Sequence, residues 1–183
     1  MPANDRKLAM HELGRVDPAT YVSGLDRRVR VVLDDVRSRH NVGAFFRTAD
    51  AFGVEGLLLC GFTPLPPHRE IEKTALGATA SVPWEHATDA AAAVERLKAE
   101  GYYVLAVEQT LHAVDLHDLA FQPERPLALV FGNELNGVSD AVIAACDACV
   151  VVPQRGSKHS LNVSVCAGVV LHWLVGRSLS TSS

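Results

Sequence analysis

Cys149-Val-Val-Val152 followed by Pro153, then Gln154-Arg155-Gly156-Ser157-Lys158-His159-Ser160, then the run Leu161–Val175: this is the stretch that decides the fold. It reads as a continuously apolar strand, a polar loop and a helix that is apolar on nearly all sides. Two earlier segments repeat the design. Val29–Asp34 leads into a helical pattern that Asn41 opens and Gly53 stops, and Leu127–Phe131 leads into Gly132-Asn133-Glu134. Further strands are expected over 57–60, 81–84 and 102–107. Helices are expected over 68–76, from Thr88 or Asp89 to Glu100, and from a Ser139 cap to Ala145. Apolar strands alternating with helices predict an α/β fold with a mostly parallel sheet and helices on both faces. Ligands in such sheets bind beyond the carboxyl ends of the strands, where these polar clusters fall.

The 183 residues are enough for one ordinary domain with a sizeable core. The more polar segment Met1–Asp26 is expected to be an N-terminal helical extension, and residues 27–183 the domain proper. Composition is that of a globular protein, 48% hydrophobic and 21% charged. The net charge of −4 gives no global sign of nucleic acid, but the window 27–47 holds six arginines against Asp34 and Asp35, or 6 − 2 = +4. Such a patch suits phosphate, or a plain solvated face. No signal peptide and no membrane-length apolar run is evident, so a cytoplasmic location is expected, with Cys60, Cys146, Cys149 and Cys166 as reduced thiols. Cys146 and Cys149 have C-x-x-C spacing without a second pair, so no metal site is expected.

Several chemistries lack their signatures. No G-x-G-x-x-G follows the first strand, and neither G-x-x-x-x-G-K-[ST] nor G-x-S-x-G occurs. His159 beside Ser160 lacks an orienting acid, and adjacent residues rarely face each other as a hydrolase dyad requires.

Three ordered segments do carry a resemblance. Asn41-Val-Gly43-Ala-Phe-Phe-Arg47, then Gly132-Asn133-Glu134-Leu-Asn-Gly137-Val-Ser139, then Val152-Pro153 with Gly156 and Ser160-Leu161-Asn162-Val163 resemble the motifs of the SpoU (TrmH-like) branch of the SPOUT superfamily. These are AdoMet-dependent RNA ribose 2′-O-methyltransferases. The resemblance, from about Val29 to Val175, implies a C-terminal deep trefoil knot, a homodimer in which the last helix packs on the partner, and S-adenosyl-L-methionine as cofactor. It implies a catalytic set of Asn41, Arg47, Glu134, Ser160 and Asn162. Glu134 is expected to partner Arg47 or Asn162. An arginine is a poor general base in water, so a role for Arg47 in stabilising a developing alkoxide or gripping phosphate is expected. Cofactor contacts are expected at Val107, Gly132, Val152, Ser160 and Leu161, with Gly132 letting the ligand approach the backbone.

An acceptor 2′-OH means RNA. Arg37, Arg39, His40, Arg69, Arg155 and Lys158 are the candidate phosphate contacts. A compact chain without a separate RNA-binding domain favours tRNA over rRNA. Two other readings share the fold: a noncatalytic RNA- or AdoMet-binding module, and a base-methylating enzyme. The polar set is complete, and the motifs resemble the ribose branch more closely.

Overall fold

A computed structural model describes residues 6–14, 28–120, 125–157 and 160–180. Seven strands, β1 (Val29–Asp34), β2 (Gly56–Cys60), β3 (Trp84–Ala87), β4 (Tyr103–Val107), β5 (Val114–Asp115), β6 (Leu127–Phe131) and β7 (Ala148–Val151), form one sheet in the order β3-β2-β1-β6-β4-β7-β5. Every described pairing is parallel. The inner strands of such a sheet are covered on both faces, which is why β2, β4 and β6 are apolar without alternation, while the edge strands β3 and β5 carry polar residues.

Side-chain alternation sends Val29, Val31 and Leu33 of β1 to one face and Val32 to the other. The first face is covered by α1 (Arg39–Ala51), α2 (Arg69–Ala75), α3 (Ala78–Ser81) and α6 (Val163–Ser180). Phe45, Phe46, Val170 and Leu171 are its large anchors, each at most 1% exposed. The second face is covered by α4 (Ala90–Ala99) and α5 (Asp140–Ala145), through Val94, Leu97 and Val142. Strand order brings three carboxyl ends together. β6 enters between β1 and β4, so the strand ends at Asp34, Val107 and Phe131 emerge side by side at one pole.

Four local expectations change. Asn41 does not open α1; Ser38 does, accepting the Asn41 N–H at 3.3 Å, and Asn41 lies inside the first turn. The expected strand over 81–84 is a short helix, Ala78–Ser81, followed by β3. Ser139 stands at the N-cap position of α5 but makes no side-chain cap bond; its N–H donates to the buried Asp34 carboxylate at 2.8 Å. The last helix starts at Val163, and Asn162 is its cap, with Oδ1 accepting from Ser164 N at 3.0 Å and Val165 N at 3.3 Å. Of the N-terminal extension only 6–14 falls within the described residues, and its one regular element is a 3-10 turn at Met10–Glu12. No helix among the described residues is long and apolar enough to cross a membrane.

Candidate active site

The carboxyl ends of β4, β6 and β7 and the start of α6 enclose a cleft of about 560 Å³. Its wall is apolar at Val107, Phe131, Val152 and Leu161 and polar at Glu108, Asn133, Glu134, Ser160 and Asn162. All five residues expected to meet the cofactor line it: Val107, Gly132, Val152, Ser160 and Leu161.

A hydrogen-bonded chain crosses the mouth of this cleft. The two oxygens of Glu134 accept from the N–H of Arg37 and the N–H of Ser38, both at 2.9 Å. One of them also accepts from Asn41 Nδ2 at 2.8 Å. Asn41 Oδ1 in turn accepts from Asn162 Nδ2 at 3.2 Å. The three sequence motifs therefore meet as Glu134–Asn41–Asn162. Burial favours protonation of Glu134, but the Arg37 and Ser38 N–H groups and the Asn41 amide outweigh it, so its pKa lies below the ordinary carboxylate value. The result is a fixed anion that orients an amide, and that amide fixes the cap of α6.

Asn133 closes the neighbouring turn. Its Oδ1 accepts from Leu135 N at 2.9 Å, its Nδ2 donates to the Asp35 carbonyl at 2.7 Å, and its backbone exchanges two bonds of 2.9 Å with Gly137. Gly132 is explained by this turn: a Cβ there would run into the backbone of Gly137 and Val138. The close approach of this turn is by itself enough to require the glycine. Glu108, just past β4, holds the far side of the same turn, accepting from Val138 N at 2.9 Å and Gln109 N at 2.8 Å.

Other expected residues stand apart. Arg47 is exposed and lies outside the cleft lining, and the Glu134–Arg47 pair is not made; Asn41 takes that place. Six positions beyond Asn41 on α1 is about 240° around the helix and about 9 Å along it, so the two side chains leave from different faces. Ser160 lines the cleft but precedes the helix by three residues and does not cap it. Arg37, Arg39 and His40 are exposed around the start of α1, and Arg69 is exposed at the start of α2, where Arg39 meets Glu70 at 3.7 Å. Arg155 is exposed on the β7–α6 loop, and Lys158 lies outside the described residues, as does His159. Burial, then the nearby Cys149 and Asp147, pushes the Cys146 thiol up to about 12, which keeps it protonated at neutral pH.

Sequence reading missed Glu108, Asn133 as a turn anchor, and Ser164, whose hydroxyl lies 2.7 Å from Asn162 Oδ1. The first two share a usable signal: each is a polar residue one or two places past the end of an apolar strand. Ser164, the second residue of α6, had none, since a serine at the start of a helix is usually solvated.

Comparison with known proteins gives the family. Residues 28–172 match the SpoU rRNA Methylase family, and the chain belongs to that family. It is 37% identical over 145 residues to the 23S rRNA (guanosine-2′-O-)-methyltransferase RlmB of Nitrosomonas europaea, covering 77% of this chain and 53% of that one. An AdoMet-bound rRNA methyltransferase from Sinorhizobium meliloti superposes with a TM-score of 0.75 at 28% identity, covering 83% of this chain and 57% of its own. A chain from structural work on 2-OH methylation on tRNA gives a TM-score of 0.71 at 25% identity, covering 85% of this chain and 98% of its own. The chain spans about half the length of the curated relatives it matches.

Proposed function

We propose that this protein transfers a methyl group from S-adenosyl-L-methionine to a ribose 2′-hydroxyl of RNA, with tRNA favoured over rRNA. The observation that carries the reading is the Glu134–Asn41–Asn162 chain at the edge of a cleft of about 560 Å³, a volume suited to a nucleoside-sized ligand. The cleft fits AdoMet in its chemistry as well. Val107, Phe131, Val152 and Leu161 offer apolar cover, and backbone edges at Gly132 and Gly137 offer polar contact.

When bound, the cofactor would supply a methyl on a positively charged sulfur, which would leave as a neutral thioether as the methyl–sulfur bond gives way to a methyl–oxygen bond and the hydroxyl proton passes to solvent. The chain's own residues do the rest. The cleft fixes the donor while the Asn41 and Asn162 amides position the ribose, and alignment of this kind contributes on the order of 7–11 kcal/mol in favourable cases. Arg47 stabilises the oxyanion as it develops, or the phosphate beside it.

Within one copy Arg47 is outside the cleft, so this role needs a homodimer in which the partner presents it. The surface of α6 supports that arrangement. Ala167, Val170, Leu171 and Leu174 are buried, while Val165 and Val169 remain 54% and 40% exposed beside α1. An apolar stripe of that sort calls for a second cover. Val169→Asp is expected to give a folded monomer without activity; a stable, active dimer of that variant, read by light scattering, would remove α6 from the interface.

The preference for tRNA is supported by the solved tRNA-linked chain, nearly all of which this chain matches. A trefoil knot formed by the segment after β7, a helical N-terminal extension and a cytoplasmic location belong to the same reading. Incubation with labelled AdoMet and total tRNA or rRNA, then digestion to nucleosides, tests it. Label on ribose of tRNA is the expected result. Label on a base, or none with any RNA despite AdoMet binding, would replace the reaction.

A further inference from the structure

The loop leaving β2 holds a phenyl ring out in water on a fixed backbone. Phe62 is 72% exposed. Its N–H donates to Asp35 Oδ1 at 2.9 Å. On one side Gly61 N–H donates to the Ala87 carbonyl at 2.9 Å, and the Gly61 carbonyl lies 3.1 Å from His86 Nε2. On the other side Thr63 is 2% exposed, with its N–H on the Cys60 carbonyl at 3.1 Å and its hydroxyl on the Leu33 carbonyl at 3.2 Å. Gly61 has φ 61°, and a Cβ on it would strike the Asp35 carboxylate, so the clamp itself demands glycine. Ordering a loop costs conformational entropy, and burying the loop's apolar residue is the ordinary compensation. Here that compensation is absent at Phe62.

The neighbourhood says what the ring meets. Asp35, which pins Phe62, also accepts through its carbonyl from Asn133 in the cleft wall at 2.7 Å. Arg37, two residues on, gives its N–H to Glu134. The exposed cationic side chains of Arg37 and Arg39 leave from this same turn and the first residue of α1. An exposed phenyl ring whose backbone is tied through Asp35 to the turn that carries Arg37, and to Asn133 in the cleft wall, matches one ligand chemistry: a nucleobase with its flanking phosphates. We propose that Phe62 is the stacking platform for an unpaired RNA base next to the nucleotide whose ribose enters the cleft. This rests on the RNA-acting function already proposed and names where that substrate is gripped.

The test compares binding of a short oligoadenylate with that of an abasic ribose-phosphate chain of equal length, using the full chain. The wild type is expected to prefer the oligoadenylate about tenfold. Phe62→Ala and Phe62→Leu should abolish the preference and Phe62→Tyr should keep it, with all three melting as the wild type does. Arg37→Ala should weaken both probes alike, because phosphate contacts carry no base information. The proposal is overturned if Phe62→Ala keeps the preference, if the wild type shows none, or if Phe62→Ala splits a dimer while the preference persists. The readout contains no methyl transfer. A protein that grips bases through Phe62 yet methylates no RNA would end the proposed reaction and leave this subsite standing; methyl transfer with an unaltered Phe62→Ala would do the reverse.

Discussion

The two poles of the sheet both carry a cleft and a cluster of charged side chains, yet they are built on opposite rules. At the amino ends of β1, β2 and β3 a cleft of about 330 Å³ is lined by Arg30, Glu55, Trp84, Glu85 and Arg96. There charge meets charge: Arg28–Glu55 at 3.0 Å, Arg30–Glu55 at 3.4 Å and Arg96–Glu85 at 2.6 Å. Tyr102 donates to Glu55 at 2.6 Å beneath the Arg28 guanidinium, and burial, followed by that bond, pushes its hydroxyl up to about 12. At the carboxyl pole the carboxylate of Glu134 is satisfied by backbone N–H groups and an amide, and the Arg37 side chain, like that of Arg47 further along α1, forms no ion pair among the described residues. A closed network of opposite charges holds strands together. Cations left open beside a satisfied anion are available to a phosphate or an alkoxide. Cleft volume alone does not separate the two poles; the state of the charges does.

The sharpest test of this contrast is Arg47→Ala. Transfer is expected to fall about 100- to 1,000-fold, the usual loss for one oxyanion donor. Melting temperature and AdoMet affinity should stay near wild type, since no partner in the fold is lost. Label incorporation into RNA and calorimetric titration with AdoMet measure the two quantities, and full activity would take Arg47 out of the reaction.

Glu134→Gln should cost both activity and stability, because the same carboxylate holds the turn at Arg37–Ser38 and orients Asn41. Its hydrogen bonds are charge-assisted but partly solvated, so about 1–2 kcal/mol is expected. The folded pKa of Glu134 is lowered, so its contribution is present above the unfolded value of about 4.3 and is lost as pH falls through the folded value. Urea melts of wild type and variant should therefore differ by a constant amount from neutral pH down to about 5 and converge in acid. A gap that widens in acid would contradict the assignment.

Glu55→Gln is the smallest effect on function and the control for the other pole. It leaves Arg28 and Arg30 without their shared anion, so a loss of about 1–2 kcal/mol is expected, or roughly 3–6 °C in melting temperature. Transfer at temperatures below the melt should not change. A loss of RNA methylation without a loss of stability would mean that the amino pole also meets substrate.

Much of this architecture is legible in residue order. Strands buried on both faces write themselves as unbroken apolar runs, and α4 announces itself with an Asp89 cap and a Gly101 stop. Elements of two to four residues, such as β5 and α3, are too short to show a period. Residue order alone misplaces the start of α1, because Ser38 and Asn41 are both competent caps. Glu134, from the far end of β6, decides between them by taking the Arg37 and Ser38 N–H groups and the Asn41 amide together.

The sequence by itself determined the strand and helix alphabet and which polar residues stand at strand ends, because burial and helical period are local properties. Only the tertiary structure decided who meets whom. Asn41 and Asn162 are 121 positions apart, and they touch because β6 enters between β1 and β4 and brings the first and second motifs together, while α6 returns across α1 with the third. The same distance from local pattern explains Arg47. A helix period fixes its face relative to Asn41 but carries no information about a second copy of the chain.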